Sequence, residues 1–372
     1  MIVTKSIKNI IIIFIILFPF LSGLSAQESK TETHQDKEEF EITDLIMHHI
    51  KDSHNFHVYG DVKNHFPKSL SIPLPIILWT NNGLVTFMSS KFKHDESGKI
   101  VVEKKGQKFV ISHGKVYYAK KVPNKQGEFV SYNKENHPVN KKPLDFSITK
   151  NVFSMFLSVI LLIILFKVSA NSYKKSKDNV PTGLAKFMEP IVVFVRDEIA
   201  IPNIGENNYS KYMPFLLTLF FFIWINNLIG MIPFFPFGSN LSGNIAFTGG
   251  LAVVTFIITI FSSKKDYWTH MLWMPGIPVP MKIFLAPIEL LGMFIKPLAL
   301  MIRLFANITA GHVTALSLIG LIFILHSFWV APASVLFTTF ISMIEILVVA
   351  IQAYIFTMLS ALYFGQALEQ EH

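Results

Sequence analysis

Apolar residues form five long blocks after residue 150, whereas the region before it alternates polar and apolar positions. Each block is long enough to cross a bilayer as a helix, which takes about 20 residues. The blocks are Val152–Val168, Pro214–Ile232, Ile245–Phe261, Ile283–Leu325 and Trp329–Leu368. This pattern predicts an integral membrane protein whose second part is an all-α polytopic domain.

The last two blocks are about 40 residues each, or roughly 60 Å of helix at 1.5 Å per residue. The hydrocarbon core is only about 30 Å thick. A continuous helix of that length fits only when strongly tilted, and a break at Pro297 or Gly311 is the alternative. Because the final block has no proline after Pro332 and its only internal glycine, Gly365, lies at the far end, we predict a long, strongly tilted helical hairpin.

Residues 1–26 are typical of a secretory signal peptide. Lys5 and Lys8 form a basic region, Ile10–Phe20 is apolar, and Leu24-Ser25-Ala26 resembles a cleavage site. An uncleaved first span is the alternative. Both interpretations place residues 27–150 outside the cytoplasm.

Residues 27–150 are predicted to form a small extracytoplasmic extension domain of mixed, mostly β structure, after a charged leader. Asp44–Ser53 could form a short helix. Turn sequences rich in Gly and Asn separate five strand-like runs. The runs are Ser71–Thr80, Gly83–Lys91, Ile100–Lys104, Lys108–Ser112 and Lys115–Lys120.

Basic residues indicate the orientation of residues 151–372. Lys174 and Lys175 follow the first block, and Lys264 and Lys265 follow the third. Because lysines concentrate on the cytoplasmic side, the C-terminus is predicted to be cytoplasmic. Gly183–Ile201 is half polar and is predicted to be an amphipathic helix on the cytoplasmic surface.

The composition excludes some classes of function. The chain has 372 residues, is 51% hydrophobic and contains no cysteine, which excludes disulfides and thiolate metal sites. Its net charge of +8 is explained by the membrane-flanking lysines, so we predict no nucleic-acid partner. His48, His49, His54 and His57, with Asp52, are spaced as a metal site could be. Surface histidines explain them better, and we assign no metal and no cofactor.

Arg303 is the only arginine in the last two blocks. An arginine at lipid depth costs about 2.5–3.5 kcal/mol on insertion scales, so such a charge is retained when it is used or well paired. Glu289, Lys296 and Arg303 are seven residues apart and therefore form one stripe on a helix. Ala306 and Ala310 have small side chains, so another helix can approach the α-helical backbone closely beyond Arg303.

Further polar residues lie level with one another in an antiparallel hairpin. His312 is nine residues from Arg303 and points the opposite way. It lies level with Glu345, while Arg303 lies level with Gln352, and Glu289 with Gln366. Groups that are level need not touch, but the match predicts a polar layer.

The chemistry of this layer suits proton movement. A guanidinium stays charged at biological pH and favours ionisation of a neighbouring acid. His312 and Glu345 can exchange protons if water reaches them, and the amides of Asn227 and Asn307 suit a water-lined path. The two long helices have no other carboxylate between Glu289 and Glu345, so a mobile acid partner has to come from another chain.

Structural roles are the alternatives. Arg303 could form a static ion pair with Glu289 or Glu345, and Glu289 could pair with Lys296 near the surface. His312 and Glu345 could simply hold the hairpin together. Asn226 and Asn227 could join helices.

The segment Lys296–His312, KPLALMIRLFANITAGH, closely resembles the signature helix of subunit a of the F-type ATP synthase. Glu345–Phe356, EILVVAIQAYIF, resembles the last helix of that family, and Asn226–Pro233 is similar to its second span. The resemblance covers residues 150–372. It implies a stator subunit that forms two proton half-channels against a ring of c subunits, without a catalytic site of its own.

The resemblance also implies individual roles. Arg303 is the essential charge that separates the half-channels and drives deprotonation of the ring carboxylate. Asn307 and Gln352 position it. His312 and Glu345 form the acid–base pair of the periplasmic half-channel.

Asn227 lines the same route, and Glu289 is the acidic residue near the cytoplasmic half-channel. The implied partners are the c ring, the subunit b peripheral stalk, other synthase subunits and membrane lipid. The implied location is the cell inner membrane.

Two departures from the family pattern stand out. Many bacterial members have Glu where this chain has His312 and His where it has Glu345. Most members lack residues 27–150, which resemble an extension in some Bacteroidetes-type sequences. A proton-coupled secondary transporter is one alternative, although residues 150–372 show none of the internal repeats expected of one. A structural anchor of the membrane sector is the other.

Overall fold

The computed structural model describes residues 52–59, 70–134, 137–175, 180–232, 236–273, 276–325 and 329–368. The predicted signal peptide, the charged leader, most of the predicted helix from Asp44, and His48 and His49 lie outside these ranges. The described part consists of a β-rich region followed by long apolar helices, which confirms the predicted fold class.

In the described part of the chain, eight strands form the β-rich extension. In chain order they are β1 Asn55–Tyr59, β2 Leu70–Pro73, β3 Pro75–Thr80, β4 Gly83–Met88, β5 Val102–Lys104, β6 Gln107–Ser112, β7 Lys115–Tyr118 and β8 Leu144–Asp145. Among the described residues they pair antiparallel in three small sheets, ordered β1-β2, β4-β3-β8 and β5-β6-β7. All five predicted runs contain strands, and the first run divides at Leu74 into β2 and β3.

Alternation of apolar residues builds the core of the extension. Ile76 and Leu78 on β3 point inward with Val85 on β4 and Phe109 on β6. Burial of such side chains is worth about 1.5–3 kcal/mol each. The turns suit the hairpins, since Lys105-Gly106 and His113-Gly114 have positive φ at both positions, as a two-residue turn that matches strand twist requires.

Eight α-helices follow. They are α1 Lys150–Lys175, α2 Leu184–Phe194, α3 Ile201–Ile204, α4 Tyr209–Met231, α5 Ile245–Ser262, α6 Lys265–Leu272, α7 Val279–Leu325 and α8 Val330–Leu368. Five of them, α1, α4, α5, α7 and α8, are long and apolar enough to span a membrane, as predicted. The amphipathic segment is helical from Leu184, and a π-helical turn, Val195–Ala200, joins α2 to α3.

Helix α7 runs through Pro287, Pro297 and Gly311 as one element of 47 residues. The break considered at Pro297 or Gly311 is therefore absent, and the continuous hairpin helix was the better prediction. α8 packs against α7 and α4, and α5 packs against α7. Leu216 and Ile223 on α4 and Leu304 on α7 are among the fully buried side chains of this core.

Two ends of the helical domain are distinguished by their contacts. At one end the first amide of α1, that of Lys150, donates to the carbonyl of Ser53 at 3.0 Å. At the other end the amide of Lys264 donates to the carbonyl of Ala367 near the end of α8 at 3.1 Å. The basic loop after α5 thus adjoins the last turn of α8, and the β-rich extension adjoins the start of α1.

Candidate functional site

Arg303 lies on the exposed surface of α7. Asn307, one turn further on, is also exposed, as are the small residues Ala299, Ala306 and Ala310 on the same side. In the described part of the chain, the Arg303 guanidinium has no hydrogen bond and no ion pair. The static ion pair with Glu289 or Glu345 is therefore absent from the described structure.

Gln352, predicted to lie level with Arg303, is buried on α8 with an exposed fraction of 5%. No hydrogen bond links it to Arg303 among the residues described. The guanidinium thus keeps all its donors for contacts outside those residues.

Lys296 leaves the predicted stripe and turns toward α8. Its Nζ donates to Gln366 Oε1 at 2.9 Å and lies 5.5 Å from the centre of the Tyr363 ring. Glu289 itself is exposed. The level pairing of Glu289 with Gln366 is therefore not a contact, because packed helices cross at an angle and do not keep a constant register.

Glu289 lies near the helix that follows the basic loop. Burial raises the pKa of the Tyr267 hydroxyl, and the negative charge of Glu289 adds to that increase. Tyr267, Lys296 and Gln366 are among the residues that line a cavity of about 20 Å³, enough for roughly one water molecule. This end of α7 therefore holds a small cavity close to Glu289, lined by both polar and apolar side chains.

His312 and Glu345 form a buried pair between α7 and α8. His312 Nε2 lies 3.8 Å from Glu345 Oε1, and the two side chains are 17% and 8% exposed. Gly311 makes the approach possible, since a Cβ there would lie 2.8 Å from Glu345 Oε1. Ser334 Oγ donates to the Leu318 carbonyl nearer the turn of the hairpin. His312 and Glu345, predicted to lie level in the hairpin, are thus in contact.

Two buried asparagines on α4 carry unpaired polar atoms. Asn226 donates through Nδ2 to the Phe222 carbonyl at 2.7 Å, but its Oδ1 has no partner among the described residues. Neither polar atom of the Asn227 amide has one. An unsatisfied buried polar group costs about 1–3 kcal/mol, so these amides are suited to contact water or a moving charge.

The structure adds polar residues that the sequence did not single out. Asn151 at the start of α1 is buried, and its Oδ1 accepts from Ser239 Oγ at 2.5 Å. Ser154, Asn240 and Ser242 are also buried and have side-chain atoms unpaired in the described region. For Ser239, Asn240 and Ser242, the available signal was the uncharged, serine- and asparagine-rich composition of the loop before α5.

The histidine cluster does not form a metal site in the described ranges. His54 is buried and its Nε2 lies 3.6 Å from Asp145 Oδ2. No group of three potential metal ligands occurs among the described residues. This histidine belongs to the core of the extension, where it meets the last strand.

Together, these features define a multi-pass membrane protein with two polar sites in its long hairpin. One site is a buried acid–base pair completed within the chain. The other is an exposed guanidinium without a described partner.

Comparison with known proteins identifies the family. Residues 152–365 match the model of the ATP synthase A chain. The chain is 45% identical over 234 residues to ATP synthase subunit a of Chloroherpeton thalassium, an alignment covering 61% of this chain and 68% of the relative. It is 46% identical over 246 residues to ATP synthase subunit a of Chlorobium phaeobacteroides, covering 62% and 71% respectively.

The chain therefore belongs to the ATP synthase A chain family, as the resemblance predicted. It is a component of the proton-transporting F-type ATP synthase, in which it serves as the proton-channel stator subunit and has no catalytic site of its own. Residues 45–146 match a separate model, described as a domain of unknown function (DUF8433). The β-rich extension thus has its own family.

Proposed function

We propose that Arg303 is the charge that separates two proton half-channels and forces a carboxylate on a neighbouring c ring to release its proton. The observation that supports this is an exposed guanidinium in a membrane-length helix with no partner in the described chain. A charge at lipid depth needs a partner. The partner that fits is an acid supplied by another subunit.

The surface around Arg303 suits a moving helix. Ala299, Ala306 and Ala310 leave the α7 backbone open to close approach. Ile295 and Ile302, both about half exposed, lie beside this small-residue face and suit lipid or an apolar helix. An acid carried past on such a helix would be driven to ionise when it reaches Arg303 and would regain a proton after leaving it.

The outer half-channel in this proposal contains His312, Glu345 and Asn227. The acid–base pair can pass a proton across its 3.8 Å gap through one water molecule. Unpaired amide atoms of Asn227 offer a donor and an acceptor for that route. Asn307, one turn from Arg303 on the exposed side of α7, and the buried Gln352 of α8 are the neighbours that position Arg303 in this proposal.

The inner half-channel ends near Glu289. This carboxylate is exposed at the end of α7 that faces α6 and the basic loop. The small cavity lined by Tyr267 and Lys296 has room for about one water molecule. Protons released at Arg303 would leave through this region.

The proposed orientation follows from the basic loops. Lys264, beside the last turn of α8, marks the cytoplasmic side, so the C-terminus is cytoplasmic. The extension lies at the opposite end, which is periplasmic in a cell inner membrane. In this orientation residues 27–150 form an extracytoplasmic domain after a signal peptide, residues 151–372 form the membrane domain, and the subunit b stalk joins the c ring as a partner.

ATP-driven proton pumping by the whole synthase in vesicles tests the proposal. Arg303→Ala is expected to lower pumping by about 100-fold or more, as loss of a preorganised electrostatic group does. Arg196→Ala is the matched control, because Arg196 is the other arginine of the chain and pairs on the surface with Asp197 at 2.6 Å. Normal pumping by an assembled Arg303→Ala synthase would favour the structural anchor.

A further inference from the structure

The extension is attached to the start of α1 through a carboxylate. The Lys150 amide donates to the Ser53 carbonyl at 3.0 Å, and the Asn151 amide donates to Asp52 Oδ1 at 3.2 Å. A carboxylate that accepts from the first turn of a helix caps it and complements its dipole. Asp52 thus joins the extension to the first membrane helix at a defined position.

Lys150 carries a buried charge at this junction. Its side chain is only 8% exposed. The carboxylates whose charges act on its ammonium are those of Asp52 and Glu96, both half-buried residues of the extension. A buried ammonium requires such compensation. We call Asp52, Glu96 and Lys150 the entrance cluster.

The entrance cluster also reaches the membrane site. The positive charge of Lys150 acts on His312, the histidine that pairs with Glu345. The two carboxylates of the cluster lie in the separately matched extension, residues 45–146, and Lys150 lies just before the residues that match the ATP synthase A chain. Of the cluster, the Lys150 ammonium is the group whose charge acts on the pair, through His312.

A band of buried polar groups runs from the cluster toward the α4 asparagines. The Asn151 side chain accepts a hydrogen bond from the Ser239 hydroxyl. A Cβ added to Gly230 would lie 3.0 Å from the Ser239 carbonyl oxygen, so the loop and α4 are tightly packed there. Gly230 follows Asn226 and Asn227 by one turn of α4. Close packing of this loop on α4 brings the start of α1 and the amides of the outer half-channel to one end of the helical domain.

Building on the proposed function, we propose that the entrance cluster is the outer mouth of the half-channel. In this view the extension supplies Asp52 and Glu96 as proton-collecting carboxylates, and Lys150 holds them beside the route to His312. Two carboxylates against one ammonium leave the mouth net negative, which raises the local proton concentration and the rate of entry. The substrate of this site is the proton, delivered from extracytoplasmic water.

ATP synthesis driven by an imposed proton gradient, measured on the whole synthase in liposomes, tests this role. Glu96→Gln is expected to slow synthesis by about tenfold, the lower end of electrostatic steering effects. Lys150→Gln is expected to slow synthesis as well, because the two carboxylates lose the ammonium that holds them at the mouth. Lys150→Arg, which keeps the charge, is expected to restore most of the rate. Matched controls are Lys108→Gln and Glu103→Gln, an exposed pair 4.0 Å apart in the same domain, which should leave the rate unchanged.

Glu96→Gln decides the outcome, since Glu96 is only half buried and lies outside the helical core. If a synthase carrying Glu96→Gln assembles and makes ATP at the parental rate, the entrance cluster is not the mouth of the half-channel. This conclusion holds even if Lys150→Gln fails to assemble. Arg303→Ala in the same preparation separates the two proposals. If Arg303→Ala abolishes synthesis and Glu96→Gln leaves it unchanged, only the proposed entrance role of the cluster is rejected. If Arg303→Ala retains synthesis, the proposed function is rejected.

Discussion

Arg303 and His312 lie nine residues apart on one helix, yet their surroundings are opposite. Arg303 is exposed and has no partner in the described chain. His312 is largely buried and lies 3.8 Å from Glu345 on the neighbouring helix. Because nine residues correspond to about half a turn beyond two full turns, the two polar groups lie on opposite sides of α7.

This difference separates what the chain completes by itself from what it leaves to a partner. The His312 site has its acid, its base and its packing within α7 and α8. The Arg303 site has a charge and a surface of small residues, and in the proposed function its acid comes from another subunit. Substitutions on the Arg303 face should therefore act on the contact with the neighbouring subunit, and substitutions near His312 should act on geometry within the chain.

The strongest test of this contrast places bulk on the Arg303 face. Ala306→Phe adds a ring to an exposed position on that face and should block close helix approach, so we expect nearly complete loss of ATP-driven proton pumping. Val253→Phe is the control, since Val253 is 51% exposed on α5. Normal pumping with Ala306→Phe would mean that nothing docks closely there.

The buried pair should show large but smaller effects. His312→Gln and Glu345→Gln each remove a proton carrier, and we expect pumping to fall by about 100-fold, the lower range for loss of an acid or base. The exchange variant His312→Glu with Glu345→His keeps one acid and one base across the gap and should recover part of the activity. If both single variants pump normally, the relay role is wrong.

Gly311 gives a test of geometry alone. Gly311→Ala puts a Cβ 2.8 Å from Glu345 Oε1, so the carboxylate has to move. We expect pumping to fall by about tenfold, in line with small misplacements of reacting groups. Gly292→Ala on the same helix meets nothing within 4 Å and should be silent. Equal behaviour of the two variants would show that the position of Glu345 is not limiting.

Lys296 should have the smallest effect of the four. Lys296→Met loses the 2.9 Å hydrogen bond to Gln366 but keeps much of the apolar stem, so we expect a loss of about 1 kcal/mol in stability. Pumping should be retained, with a lower temperature of thermal inactivation. Complete loss of pumping would place Lys296 with Arg303 as an essential charge.

Most of the fold could be predicted from the sequence because its signals are local. Long apolar blocks mark the five spans, and alternation marks the strands of the extension. β8 has only two residues and pairs with β3 across a long separation, so no local pattern could reveal it. The π-helical turn at Val195–Ala200 likewise has no sequence period of its own.

The candidate site could be predicted only in part. Arg303 could be singled out from the sequence, because an arginine in an apolar block is costly to place in a membrane. Lys296 was placed in the same stripe, yet it bonds to Gln366 on α8. Helix spacing predicts the side a residue faces, but a long side chain can bend toward whatever partner lies within reach.

By itself, the sequence determined which charges lie at lipid depth, because hydrophobic length and helical period are properties of consecutive residues. Only the tertiary structure decided which of those charges meet a partner. His312 reaches Glu345 because two helices cross where Gly311 has no side chain, and Asp52 reaches α1 because a separate β-rich region docks there. Such contacts depend on how distant segments pack, which no local pattern encodes.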